Sequence, residues 1–327
     1  MRTLTPLRWR IGLIYRDENI LIPKRDTVLK PRDRVVILGE PAVLKTVSEI
    51  LTFKFERFPL EYGSTAITYL TGNETEIFFN ELNYLFSIFP LNRMIFIYSR
   101  KAARKAETFD EFIKKDNLKN PEARKTSLAA LPAIEETVSD LKGDHGIIVM
   151  AKDVLSLSTF SLFKTAKSKI FLNSLIQKFH CPLILTAGTF PYEKACAPCV
   201  EHINIQQTTE TALEITSSLH NEITALLVNP SKYISSDEDL DEFQAMKKTI
   251  NDVSSMYKIS VNKIILEGNP VKSILSSLPD FNLLITGTEG WKHQNWFPSF
   301  LSPDVVWNIV RDSSISTLLL PVVEEIL

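Results

Sequence analysis

The sequence predicts an α/β protein: two tandem, doubly wound, parallel five-stranded sheets preceded by a small β-rich α+β unit. Three observations predict it. Residues 281–321 read FNLLITGTEG, then a polar and aromatic loop, then VVWNIV, then SISTLLLP. An apolar run without alternation that ends in Gly-Thr-Glu-Gly, a helical pattern and a second apolar run describe a buried parallel strand, a turn, a crossover helix and the next strand. The same shape occurs earlier, with GIIVMAKD as a strand, residues 168–179 as a helix and CPLILTA as a strand. The two copies lie about 135 residues apart, the size of one domain. Strands alternate with helices through most of the remaining chain, the pattern of a parallel sheet covered on both faces.

Bulk composition narrows the functional classes. The chain has 327 residues, which sets a prior of about two domains. It is 44% hydrophobic and 23% charged, with a net charge of -2, so electrostatics give no case for nucleic acid or anionic lipid. No apolar run reaches the roughly 18 residues of a membrane span. The densest stretch, residues 77–98, is interrupted by Asn80, Glu81, Asn83, Asn92 and Arg93. The first residues lack an apolar signal core, and three cysteines in a chain of this length point to a reducing compartment. A soluble cytoplasmic protein is expected.

The elements follow in order. In residues 1–55, RWRIGLIYR and NILIP are strands, RDTVLKPRD is a turn-rich link and RVVILGE is a third strand closed by Gly39. PAVLKTVSEIL is a helix with Pro41 in its first turn and Val43, Leu44, Val47, Ile50 and Leu51 on one face. Fewer than about 60 residues make a marginal core, so this unit needs a partner surface. FKFERFPLEYG is a linker punctuated by Pro59 and Gly63.

The order Arg16, Ile22-Pro23, Asp26-Thr27-Val28-Leu29, Pro31, Asp33, Val35 to Gly39 and Leu44 resembles the C-terminal RCK domain family (TrkA-C). That resemblance implies a regulatory, dimer-forming module of potassium channels and uptake systems. The family usually has Gly before the aspartate, where this chain has Arg32. The family's opening strand and helix are mostly missing, which implies an incomplete domain, either shortened or continued upstream.

Residues 56–190 form the next unit. STAITYL is a strand, residues 74–89 are a helix with Ile77, Phe78, Leu82, Leu85 and Phe86 facing inward, and NRMIFIYSR is a strand. Residues 101–125 are charged and poor in apolar side chains, consistent with a helix and a mobile loop. Residues 128–141 are helical, and the strand, helix and strand described above complete the unit. Residues 191–327 open with YEKACAPCV and continue with a helix over 207–219, the strand EITALLVNP, a helix over 237–257, the strand VNKIILEG and a short helix over 269–278. The opening stretch SSDEDLDE suits a helix N-terminus.

This order, with E-G-N-P, L-L-I-T-G-T-E-G and L-L-L-P at its later strand ends, resembles the universal stress protein family. So does Y-E-K-x-x-A-P-C-V before the first helix, and the likeness extends more weakly over residues 64–187. The resemblance implies dimers, and in many members ATP binding through Gly-x-x-Gly, nine residues, then Gly-Ser/Thr. A crevice for ATP or another adenine nucleotide would then be lined by Gly287, Thr288, Gly290, Gly268 and Asn229. Gly287-Thr-Glu-Gly290 supplies the first half of that signature, and backbone N–H groups of such a turn can approach a phosphate. The second half is absent: the chain has Phe300-Leu301-Ser302, after a bulky loop. Cys199-Val200 occupies the place where relatives carry an aspartate, and the unit-one turn MAKDVLS has no glycine pair.

Other motifs read as structure. Cys196 and Cys199 form a CxxC on a strand, where residues three apart face opposite sides, so they are expected as small buried residues rather than a redox pair. Zinc ligation by His180, Cys196, Cys199 and His202 matches no familiar spacing. Trp291, His293 and Trp296 would stack on a ligand or plug an empty pocket. Glu267-Gly268-Asn269-Pro270 would line the crevice or simply start a helix. No triad, paired carboxylates or P-loop argues for catalysis. The leading expectation is a non-enzymatic cytoplasmic regulator linked to potassium or other monovalent cation transport. It would be a homodimer partnered by a cation channel or uptake subunit. A stand-alone universal stress protein that binds ATP and a structural scaffold are the alternatives.

Overall fold

The structure, a computed structural model, describes residues 9–16, 19–24, 27–29, 33–40, 43–44, 58–99, 120–155, 164–199, 205–219, 221–229, 237–288 and 304–321. Most of the predicted helix over residues 41–51 and the aromatic loop with Gly290, Trp291, His293 and Trp296 lie outside these residues, as does His202. The chain divides into two compact units, Met1–Glu56 with Glu324–Leu327, and Arg57–Val323.

In the first unit, β1 (Trp9–Arg16) pairs antiparallel with β2 (Asn19–Leu21) on one side and β3 (Arg34–Gly39) on the other. Ile14 is fully buried. The Arg16 guanidinium forks onto the Asp33 carboxylate, with Nε to Oδ1 at 2.7 Å and Nη2 to Oδ2 at 2.6 Å, and also donates to the Val28 carbonyl at 2.9 Å. Bidentate geometry of this kind fixes orientation as well as adding energy. Several residues that carry the TrkA-C resemblance are therefore the ones that tie this small sheet to the link beside it.

The second unit holds a ten-stranded sheet in the order β11-β10-β9-β12-β13-β8-β7-β4-β5-β6. Its strands are β4 (Thr65–Leu70), β5 (Arg93–Ser99), β6 (Pro121–Thr126), β7 (His145–Ala151), β8 (Leu183–Thr186), β9 (Lys194–Cys199), β10 (Glu222–Asn229), β11 (Asn262–Glu267), β12 (Leu283–Gly287) and β13 (Ser316–Leu320). The helices described here are α1 (Glu76–Ile88), α2 (Ala130–Leu141), α3 (Lys164–Phe179), α4 (Ile205–Leu219), α5 (Asp237–Tyr257), α6 (Pro270–Ser277) and α7 (Val305–Asp312).

Two parallel half-sheets, β4 to β8 and β9 to β13, repeat one strand order: third, second, first, fourth, fifth. Every pair within a half is parallel. The two five-stranded sheets expected from the sequence are thus present but fused, because β13 and β8 pair antiparallel with Leu318 opposite Ile184. The charged stretch 101–125 predicts a helix and a loop, yet Pro121–Thr126 is an edge strand. It lacks apolar alternation because its half-buried side chains are Glu122, Arg124 and Thr126. Glu122 bridges Arg93 and Arg124, and Arg124 reaches Asp140, so the half-buried face of this edge strand is charge-paired rather than apolar.

Successive strand residues enter opposite layers. Ala66, Phe96, Val149, Ile184, Cys199, Leu227, Ile285 and Leu320 join one core with Leu82 of α1, Leu213 of α4 and Ile250 of α5. Ile67, Ile97, Ile148, Leu185 and Leu319 join a second core with Ile134 of α2, Leu172 and Ile176 of α3, and Trp307 of α7. Both faces are covered, which is why the strands read as unbroken apolar runs. Both cores cross the β8–β13 seam, so the two halves are packed together on each face of the sheet. Among the described residues no helix is long and apolar enough to cross a membrane.

Candidate functional site

The strand order places a topological switch point between β4 and β7 in one half and between β9 and β12 in the other, and doubly wound sheets bind ligands at the carboxyl ends there. The predicted crevice residues fall along that edge of the second half. Gly287 ends β12 opposite Leu320 of β13. Asn229 ends β10 opposite Glu267 of β11, and Gly268 follows. Strand β9 separates the two groups, and Gly287 lies level with Leu227, two residues before Asn229, so at about 4.8 Å per strand and about 3.3 Å per residue Gly287 and Asn229 stand about 12 Å apart. Gly290 lies outside the described residues.

The side chains at this edge satisfy the fold first. Thr288 is fully buried and its hydroxyl donates to the Leu320 carbonyl at 3.1 Å, closing the top of the β12–β13 pair. Gly268 has φ +94°, a backbone conformation that favours glycine, with nothing nearer to an added Cβ than Ser273 Oγ at 3.9 Å. Asn269 caps α6 by accepting from the Lys272 N–H at 3.1 Å, and Pro270 opens the helix. Ser273 Oγ reaches back to the carbonyls of Glu267 (2.8 Å) and Asn269 (2.7 Å). Of the two expectations for Glu267 to Pro270, the helix start is the one this geometry displays.

At the equivalent edge of the first half the chain supplies its own anion. The Glu74 carboxylate accepts from Thr71 N–H (2.5 Å), Thr71 Oγ1 (2.7 Å) and Gly72 N–H (2.8 Å), just beyond β4. Asp153, after β7, has its carboxyl pushed up by burial and then by Glu74. Two carboxylates at this switch point oppose a phosphate.

Among the described residues, a connected polar network lies instead at the seam between the halves. Glu81, on α1, is fully buried. Its carboxylate accepts from the Tyr192 hydroxyl (2.7 Å), the Gly188 N–H (2.7 Å) and the Ser316 hydroxyl of β13. Ser316 Oγ also accepts from the Ala187 N–H at 2.8 Å, and Thr189 Oγ1 accepts from the Ser316 N–H at 2.9 Å while donating to the Asn282 carbonyl at 2.7 Å. Lys152, just after β7, donates to the Ile315 carbonyl (2.8 Å) and Thr317 Oγ1 (3.1 Å) across the same seam. Burial raises the Glu81 carboxyl, with its three hydrogen bonds working against that shift. Burial lowers the Lys152 ammonium to about 7, with Glu81 as the opposing influence. Sequence reasoning passed over this network. Its one trace is an acid among the inward residues Phe78, Leu82 and Leu85 of α1.

The cysteines behave as expected of strand residues. Cys196 packs with Leu226 and Leu284 on one face of β9, and Cys199 with Leu227 and Ile285 on the other. Both are free and buried, and burial pushes the Cys199 thiol up to about 12. Among the described residues no group of three or more His, Cys, Asp or Glu could hold a metal ion.

Comparison with known proteins matches these parts. Residues 3–52 fit the profile of the TrkA-C domain. No curated protein sequence matches the chain. In fold the chain is similar to universal stress proteins. A functionally unknown protein from Pseudomonas aeruginosa PAO1 is similar at TM-score 0.53 and 12% identity, over 79% of this chain and 92% of that one. A universal stress protein from Archaeoglobus fulgidus DSM 4304 is similar at TM-score 0.51 and 14% identity, over 81% and 98%. The cytoplasmic domain of a prokaryotic cation chloride cotransporter is similar at TM-score 0.50 and 11% identity, over 79% and 95%. At these identities the likeness is one of fold.

Proposed function

We propose that this chain is a cytoplasmic regulator of potassium or another monovalent cation's transport, acting by binding rather than by catalysis. The observation that carries the reading is a conjunction. A TrkA-C segment at residues 3–52 precedes a fold shared with the cytoplasmic domain of a cation chloride cotransporter. The TrkA-C segment supplies docking to a channel or uptake subunit, and the fused sheet supplies a sensor body. A signal reaching that body regulates only by stabilising one arrangement over another.

A second reading, an ATP-binding universal stress protein, rests on Gly287 at the switch point of the second half. At the first half's switch point Glu74 already accepts from the Thr71 and Gly72 N–H groups, and in the second half the Thr288 hydroxyl beside Gly287 is engaged by Leu320, which favours the first reading. The test is affinity capture of the tagged full chain from detergent-solubilised membranes of its native cells, paired with thermal unfolding in ATP, ADP and AMP. The expected outcome is stoichiometric recovery of a cation channel or uptake subunit, with no nucleotide shift. Recovery of no membrane transporter, together with stabilisation approaching about 2.7 kcal/mol at 100 times the dissociation constant, would replace it with the second reading.

A further inference from the structure

The two outer edges of the ten-stranded sheet are built differently. Strand β6 begins with Pro121, and its half-buried Glu122 and Arg124 are committed to ion pairs with Arg93 and Asp140. Proline and charge are the usual means of blunting an edge. Strand β11 has none of this protection at its centre. It is bonded to β10 alone among the described strands, and its sequence NKIILE leaves Ile264 41% and Ile265 48% exposed. Neighbouring strand residues point to opposite faces, so both faces of this edge carry exposed isoleucine beside a backbone ladder that no described strand pairs.

We propose that β11 is an interface between two copies of this chain, pairing antiparallel with itself about Ile265. The charge pattern selects the second copy as occupant and also selects the register. With Ile265 on the two-fold axis, Lys263 stands opposite the partner's Glu267 and Ile264 opposite the partner's Leu266. Centring on Ile264 sets Lys263 against isoleucine, and centring between Ile264 and Ile265 sets it against leucine. Only the Ile265 register matches charge with charge and apolar with apolar, and symmetry makes each match twice. Within its own chain Lys263 Nζ donates to Asn251 Oδ1 of α5 at 2.6 Å, a neutral partner that the Glu267 carboxylate of a second copy would replace or supplement. The pairing joins the sheets of two chains edge to edge, independently of any contact made by the first unit.

The test is oxidative cross-linking of the full chain carrying Ile265→Cys. Directly opposed residues of an antiparallel pair hold their Cβ atoms about 4.5–5.5 Å apart, within reach of a disulfide after small adjustment. The native Cys181, Cys196 and Cys199 are buried and do not compete. Ala123→Cys on the opposite edge is the control. The expected result is a covalent dimer for Ile265→Cys and none for Ala123→Cys. Adding Lys263→Glu or Glu267→Lys alone sets like charges opposite each other twice and is expected to weaken pairing about tenfold, while adding both restores it. A cross-linked fraction for Ile265→Cys no greater than for Ala123→Cys overturns the proposal. So does cross-linking that is indifferent to the single charge reversals.

Discussion

At Lys152 and Glu81, burial moves two proton affinities in opposite directions, and each shift leaves its own mark on stability. The folded chain holds the Lys152 ammonium at about 7, against an ordinary value of 10.5. Between those values the unfolded chain binds a proton that the folded chain has released, so stability rises with pH across that window. The cost of burying the charge is fully present below pH 7. For Glu81 the folded value is raised above 4.5, so the folded chain keeps a proton that the unfolded chain loses. Its contribution is complete below about pH 4.5 and fades as pH rises through the raised value. Urea unfolding of the natural chain against Lys152→Met should therefore give a stability difference that climbs between about pH 7 and 10.5. Against Glu81→Gln the difference should fall from about pH 4.5 upward. Parallel pH profiles for natural and variant chains would contradict both assignments. At this scale the sequence was only partly readable. The cysteines as core residues follow from local spacing, and a helix start at Glu267 to Pro270 was one of two readings that spacing left open. The seam network does not, because Glu81 meets Ser316 only after 235 residues of chain have folded back.

Among elements, the start of β7 shows how tightly neighbouring segments approach. An added Cβ on Gly146 would lie 2.1 Å from the Gly63 carbonyl oxygen, and Gly63 itself has φ +149° with the Asp144 carbonyl carbon 2.6 Å from an added Cβ. Asp144 then fastens the same corner, its carboxylate accepting from the Ser64 N–H (2.5 Å) and Thr65 Oγ1 (2.9 Å). Gly146→Ala must move backbone, so it should cost at least about 1–3 kcal/mol, the usual range for overpacking, read as a lower urea midpoint at unchanged slope. An unchanged midpoint would mean that the corner is looser than drawn. Buried strands such as β10 and β12 were legible because each is an apolar run ending in a turn residue. Helix α5 was legible to its ends, residues 237 and 257. Strand β6 was not, since its half-buried positions carry Glu122 and Arg124, and only the fold brings Arg93 and Asp140 to meet them.

For the whole molecule, repetition along the chain announced two α/β units, and the strand order of each is the same. What repetition cannot announce is which edges meet. The antiparallel β8–β13 junction depends on two last strands with unblocked edges and on a polar network that forms across them. It turns two sheets into one, with a core that runs across the junction. That sheet, in a chain that also carries a TrkA-C segment, is the basis for the proposed regulation of cation transport. The most direct measurement is initial uptake of radioactive rubidium by the native cells, with this chain deleted and then restored from a plasmid. The assignment predicts that deletion changes the uptake rate and that the natural chain restores it, whereas a chain lacking residues 1–56 does not. Identical uptake in all of these cells, for rubidium, potassium and sodium alike, would contradict it.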